Sequence, residues 1–375
     1  MANWDVIVIG LGGVGSSAAY HTALAGRRVL GIEQFTPAHD QGSSHGQTRI
    51  IRQAYFEDPS YVPMLKRAYE LWDQLESHVD ERLFERTGLV ELGPADGTVI
   101  PGILASAEQH QLPIEELSVS CCRERWPGLD GDKDWTIVIE KNAGFLRVEE
   151  CVAAHLEMAR RTGATLQFET PVVSWRVVSN GVQVETEKGT ETADRLILAG
   201  GAWSSQLLTQ LRVPLQILRK HLYWFDTDDS GFEKSDGFPC FFHDTEDGYF
   251  YGFPSIQGGG VKVARHSGGQ ALDTPQQDSS KDTKDLALCE KYVQRYLPGV
   301  SKRLRTHATC FYTSTPDEHF IMDRHPEHDQ VTIVAGLSGH GFKFTSAIGE
   351  IASQLACERS PFDLELFKIN RFEIA

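Results

Sequence analysis

The chain has 375 residues, 41% hydrophobic and 23% charged, with seven cysteines and a formal net charge of −16. That acidic balance disfavours nucleic acid and anionic membranes as partners, and no apolar run reaches the roughly 18 residues of a membrane span. The cysteines lack C-x-x-C spacing, which excludes a zinc site and a disulfide framework and leaves reduced thiols, no metal and a two-domain soluble chain as the expectation.

The N-terminus reads as strand, glycine turn and helix. Val6-Ile7-Val8-Ile9 runs into Gly10-Leu11-Gly12-Gly13-Val14-Gly15, and the next strand, Val29-Leu30-Gly31-Ile32, ends on Glu33. Gly10 permits the tight turn, Gly12 lets a pyrophosphate approach the backbone, and Gly15 lets helix pack on strand. The helix N-terminus favours phosphate, and Glu33 stands where a carboxylate accepts from a ribose hydroxyl. The fingerprint predicts a dinucleotide site without choosing between NAD and FAD. The strand follows the start directly, leaving no space for a leader, and the final Glu373-Ile374-Ala375 is not a peroxisomal tripeptide, so the expected location is cytoplasmic.

Pro59 predicts the start of a helix running to about Ser77, and a second helix is predicted from Val148 to Thr162, ended by Gly163. Strand-like runs then alternate polar and apolar residues over 165–168, 181–186, 218–225, 248–253 and 260–264, which predicts an antiparallel or mixed sheet. The polar stretch from Gly268 to Lys284 reads as a surface excursion. Two further apolar strands end on glycines: 195–199 on Gly200-Gly201, and 331–335 on the turn Gly336 to Gly341, with a helix from Phe344 to Leu355. Strand-then-glycine units at the start, middle and end of the chain predict one nucleotide domain assembled from separated pieces. The expected fold is α/β, with a discontinuous Rossmann-like FAD-binding domain (1–83, 143–217 and 315–375) and a mixed or antiparallel β-sheet substrate domain (84–142 and 218–314). A split domain favours FAD over NAD, whose enzymes keep the fold contiguous.

Candidate chemistry clusters in four places. His45, Arg49 and Arg52 follow the second strand; if that segment is helical, the two arginines form an i,i+3 pair suited to a carboxylate or an electron-rich ring edge. Lys262 lies between Val261 and Val263, so it faces either solvent or a cavity, and His266 follows. Cys310 reads equally as a small buried hydrophobe. Lys343 sits between Phe342 and Phe344 at a helix start, where the N-terminus stabilises negative charge. Together these residues predict a basic pocket for an anionic cofactor, an anionic substrate or both.

In the order Gly46-Gln47-Thr48-Arg49-Ile50-Ile51-Arg52, Tyr251-Gly252-Phe253-Pro254, Lys262, His266, Cys310 with Tyr312, Pro316 to Ile321, and Gly336 to Phe344, the chain resembles the monomeric sarcosine oxidase and N-methyl-L-tryptophan oxidase family of FAD enzymes. The resemblance implies an FAD bound covalently through Cys310 as an 8α-S-thioether, a substrate carboxylate held by Arg52 and Lys343, and a Lys262 that promotes reduction of O2. It puts His45 and Arg49 around the flavin ring, His266, Tyr251 and Phe242 in the substrate pocket, and Val172 on the adenine side. Gly10, Gly12, Gly15, Glu33, Ser43, Gly200, Gly339, Gly341 and Phe342 complete the implied cofactor contacts. The implied reaction oxidises the C–N unit of a secondary amino acid to an imine, which water hydrolyses to the primary amino acid and formaldehyde while O2 becomes H2O2. A monomer acting on a small amino acid and O2 is expected. Phe242 replaces a methionine of the sarcosine-specific members, so a bulkier N-methyl amino acid, a cyclic imino acid such as pipecolate or proline, and a dehydrogenase using another acceptor stay open.

Overall fold

The structure, a computed structural model, describes residues 3–227, 230–357 and 360–372. The final tripeptide singled out above therefore lies outside the described residues. Trp4–Ile9 is a central strand of an eight-stranded sheet, with Val29–Ile32 parallel on one side and Gly189–Leu198 parallel on the other. The end of Gly189–Leu198 also pairs in parallel with His328–Ala335, in the register Leu196 to Val331. The strands from the start, middle and end of the chain thus lie side by side, as the glycine-terminated runs predict. Their apolar residues are buried on both faces, which is why they read as continuous runs without alternation. The first half of Gly189–Leu198 turns antiparallel to Gly181–Thr186, which pairs with Val172–Val178. Helix Gly13–Leu24 covers this sheet with Thr345–Cys357 and Val148–Arg161; Ser17 Oγ donates to the Ser346 carbonyl, 3.1 Å away.

The second sheet has nine strands, in the order Gln270–Leu272, Gln216–Thr227, Val261–Arg265, Gly248–Phe253, Cys240–Thr245, Leu89–Pro94, Trp135–Glu140 and Glu115–Ser118, with Val300–Ser314 along the other edge of Gln216–Thr227. Period-2 alternation divides its residues between two buried faces. One carries Val90, Tyr223, Phe225, Phe241, Phe250, Val261 and Val263 in an apolar core with Tyr292 and Val293 of helix Thr283–Tyr296. The other carries Glu91, Trp224, Phe242, Tyr251, Phe253, Lys262, Cys310 and Tyr312, set by the registers Glu91–Phe242–Tyr251 and Trp224–Lys262–Phe253. The polar positions of these strands therefore face the interior, not solvent.

A three-stranded sheet of Thr48–Ile51, Gly144–Arg147 and Phe84–Glu85 lies between the elements that carry the candidate residues. It corrects one expectation. Residues 48–51 form a strand, so Arg49 and Arg52 are not an i,i+3 pair on a helix; a β-branched Thr-x-Ile-Ile run and a waiting partner strand override the helical alternative. The predicted helices at 59–77 and 148–162 are present, as a 3-10 turn Pro59–Tyr61 leading into Val62–Glu76, and as Val148–Arg161. The stretch from Gly268 to Lys284 is mostly exposed, yet it contributes the edge strand Gln270–Leu272, and Asp282 caps the helix that begins at Thr283. Among the described residues no helix is long and apolar enough to cross a membrane.

Candidate active site

Two adjoining cavities share the lining residues Arg49, Tyr312, Gly339 and Phe342. The larger, about 270 Å3, runs across the carboxyl ends of the parallel strands, the usual ligand position in such sheets. Its wall includes Gly10, Gly12, Glu33, Ser43, Val172, Gly200, Gly339, Gly341 and Phe342. Gly10 turns at φ +86°, and a Cβ at Gly15 would fall 1.7 Å from the Gly10 carbonyl oxygen. Gly15 therefore serves helix packing one turn inside and does not line the cavity. A Cβ at Gly12 would meet only Ser44 within 4 Å, so the backbone there faces open space. Ser44 Oγ accepts from Gly13 N–H at 3.0 Å, satisfying one donor of the helix start. Glu33 accepts from the backbone N–H of Leu11 at 2.8 Å and of Phe35 at 3.1 Å, which ties the second strand to the glycine turn.

The smaller cavity, about 60 Å3, is bounded by Arg49, Arg52, Glu57, Phe242, Tyr251, His266, Tyr312, His340 and Lys343. The buried Arg52 guanidinium is stacked between the rings of Tyr55 and Phe56, at 4.5 and 4.4 Å. Its Nη1 donates to the Ala54 carbonyl and its Nη2 to both oxygens of Glu57, at 2.9 and 2.7 Å. Burial alone would raise the Glu57 carboxyl, but Arg52, His340 and Lys343 hold it down to about 2. Lys343 Nζ donates to the His340 carbonyl at 2.7 Å; burial first, then the charge of Arg52, pulls its pKa down to about 7. His266 contacts Tyr312 Oη through Nδ1 at 3.3 Å, and burial, with Lys220 next, lowers it to about 3, so its imidazole is neutral at pH 7.

Lys262 lines neither cavity. Its Nζ donates to the carbonyls of Gly46 and Thr48 at 2.6 and 2.9 Å and to Thr48 Oγ1 at 3.1 Å, beneath the rings of Phe253 and Trp224. Burial, then Arg49, pulls its pKa well down; against this, three acceptors match the three donors that only the ammonium form has. Gly46, at φ +91°, is what brings the two cations together. A Cβ there would clash with Leu222 at 2.6 Å, and would lie 3.6 Å from Arg49 Nη1 and 4.0 Å from Lys262 Nζ. Arg49 also donates to the Ser43 and Thr48 carbonyls. Cys310 is buried and unpaired, two residues before Tyr312 on the same strand face, and lines neither cavity. His45 likewise lies off both walls, its Nε2 against the Gly42 carbonyl at 3.1 Å, and burial, then Arg49, lowers it to about 4.

Sequence reasoning missed four acids or their partners here. Glu57 and Glu91 meet Arg52 only through the fold. Glu149 accepts from the N–H groups of Gly46 and Gln47 and so holds the loop beneath Lys262; an acid in the first turn of a predicted helix was its one visible signal. His340 joins Tyr55 and the Glu318 carbonyl.

The FAD dependent oxidoreductase family matches residues 5–355. Monomeric sarcosine oxidase of Streptomyces avermitilis is 44% identical over 358 residues, covering 94% of this chain and 93% of that protein. N-methyl-L-tryptophan oxidase of Salmonella arizonae is 38% identical over 373 residues, covering 98% and 99%. Among solved structures, an amino acid oxidase essential for nikkomycin biosynthesis superposes with a TM-score of 0.86 at 24% identity over 98% of both chains. L-proline dehydrogenase from P. horikoshii gives 0.86 at 22% identity, over 99% of this chain and 98% of that one. The larger cavity fits FAD: strand ends, a glycine backbone with open space before it, a helix start and an acid on the neighbouring strand are the parts a dinucleotide needs. The chain belongs to the FAD dependent oxidoreductase family, as a relative of monomeric sarcosine oxidase and N-methyl-L-tryptophan oxidase.

Proposed function

We propose that the protein is an FAD-dependent oxidase of small secondary amino acids, with sarcosine as the favoured substrate, and that it yields the demethylated amino acid, formaldehyde and H2O2. The balance is R–NH–CH3 + O2 + H2O → R–NH2 + HCHO + H2O2. One observation supports this reading: two buried cationic side chains, Arg52 and Lys343, line a small aromatic cavity that adjoins the dinucleotide cavity. The aromatic wall of Phe242, Tyr251 and Tyr312 narrows this cavity and favours a methylated glycine over a methylated tryptophan.

FAD supplies the two-electron acceptor when bound. Gly10, Gly12, Glu33, Ser43, Val172, Gly200, Gly339, Gly341 and Phe342 would hold it in the larger cavity, within a body made of 1–83, 143–217 and 315–375, against a substrate body of 84–142 and 218–314. Arg49 stands at the junction of the cavities and would face the ring. Arg52 and Lys343 bind the substrate carboxylate, which must displace Glu57 from Nη2 or share it. Three cationic side chains around a neutral His266 disfavour an ammonium, so the amine binds unprotonated, with Tyr251, Tyr312 and Phe242 orienting its methyl group. Lys262 provides a fixed positive charge near the site of O2 reduction, and Glu149 maintains the loop that receives it. His45 braces the start of that loop through the Gly42 carbonyl. Cys310, on the strand face that carries Tyr312, would hold the cofactor covalently through its thiol sulfur. Monomeric association is extended from the name of the Streptomyces relative, and the cytoplasm remains the proposed location.

Steady-state comparison of sarcosine with N-methyl-L-tryptophan tests the size argument. A kcat/KM at least tenfold higher for sarcosine is expected, and the reverse ranking would remove it.

A further inference from the structure

Glu91 is fully buried on the strand beside Phe242, and neither of its carboxyl oxygens has a hydrogen-bond partner. It lies 3.7 Å from Arg52 Nε, the one nitrogen of that guanidinium that donates neither to Glu57 nor to the Ala54 carbonyl. Buried carboxylates are ordinarily hydrogen-bonded or closely paired, and the reaction assigned above gives this one no task.

We propose that Glu91 is a positioning residue: it carries a proton while a substrate carboxylate occupies Arg52, and its ionisation weakens that binding. The inference rests on the carboxylate-anchor reading of the smaller cavity. The charged groups facing Glu91 come from four elements: Arg52 just past its strand, Glu57 in the following loop, Glu140 on the neighbouring strand, and Lys343 in the 3-10 turn Phe342–Phe344 that leads into helix Thr345–Cys357. Two cations thus face three carboxyl groups. With all three ionised, this cluster would be net negative before a substrate carboxylate arrived, offset only by Arg49 elsewhere on the cavity wall. Glu140 accepts backbone N–H bonds from Gln53 and Ala54, and Glu57 is bonded twice to Arg52. Glu91 has no such compensation and is the acid that most readily stays neutral. Burial, opposed by Arg52 and reinforced by Glu140 and Glu57, raises it to about 8.

The sign follows. A neutral Glu91 leaves Arg52 its surplus charge; as the pH rises through about 8, Glu91 ionises, competes for Arg52, and carboxylate affinity falls. The test is calorimetric binding of propionate, a carboxylate without an oxidisable amine, to the flavin-loaded enzyme from pH 6 to pH 9.5. Binding to the wild type at pH 8.5 takes up protons at both Lys343 and Glu91, measured from the dependence of heat on buffer ionisation. Glu91→Gln lowers that uptake by up to one proton and removes the part of the affinity loss centred near pH 8, leaving the Lys343 limb. Glu91→Met does the same. Unchanged proton uptake and an unchanged pH profile in both variants would overturn the role of Glu91. Should neither variant fold, the wild-type infrared difference spectrum on propionate binding at pH 8.5 must gain a protonated-carboxyl C=O band, and its absence overturns the proposal. Propionate failing to bind the wild type at any pH would instead remove the carboxylate-anchor reading.

Discussion

Replacing Glu57 by Gln separates the two partners of Arg52. In the unliganded site Glu57 gives Arg52 Nη2 two acceptors, at 2.9 and 2.7 Å, and is itself held ionised at about 2. A substrate carboxylate aimed at the same guanidinium competes with it. Hydrogen bonds to charged groups contribute about 1.5–3 kcal/mol, and glutamine retains one neutral acceptor of similar size, so roughly half of that competition is lost. A gain of about 1.4 kcal/mol corresponds to about tenfold tighter carboxylate binding. The free enzyme should lose stability at the same time, because a buried guanidinium has lost its charged partner. The assay pairs sarcosine KM with thermal unfolding, measured with and without a non-oxidisable carboxylate. Expected are a KM about tenfold lower, a lower unliganded Tm and a larger ligand-induced rise in Tm. A folded Glu57→Gln enzyme whose KM is unchanged or higher would refute the reasoning, since Glu57 would then not compete and Arg52 would not anchor the substrate.

Lys262→Met removes one donor from the Gly46 and Thr48 carbonyls, each of which keeps another, from Thr48 N–H and Arg49 Nη1, so stability falls by only about 0.5–1.5 kcal/mol for each lost bond. O2-dependent turnover should drop about 10²–10³-fold, with anaerobic bleaching of the flavin by sarcosine much less affected; equal losses in both would sink the assignment. Cys310→Ser should release flavin to the supernatant after acid precipitation, whereas the wild type keeps it in the pellet. Lys343 loses its charge as pH rises through about 7, so the affinity for propionate, which has no titrating amine, should fall above that pH, and Lys343→Met should weaken propionate binding and flatten this limb.

The parts legible in the sequence were those whose meaning is local. Val6–Gly15, the runs ending at Gly200 and Gly336, and Pro59 each carry their geometry in neighbouring residues, and the assembled sheet agrees with them. Four residues from Arg49 to Arg52 cannot reveal the partner strand at Gly144–Arg147, so their sequence leaves helix and strand open. Lys262 remained ambiguous for a similar reason. Alternation told which side it faced but not that both sides of the sheet are buried, the second under helix Thr283–Tyr296. Glu57 and Glu91 acquire meaning only from Arg52, which the fold places between them. His243, next to Phe242, points to the opposite face, where it bonds Tyr292 Oη and the Asp130 carbonyl.

The most direct measurement of the central claim is product stoichiometry with sarcosine in air. One formaldehyde, one glycine and one H2O2 per O2 consumed is the predicted result, with proline, pipecolate and N-methyl-L-tryptophan turned over far more slowly. Sarcosine that leaves the flavin oxidised, or that reduces it without H2O2 appearing on exposure to O2, would contradict the account.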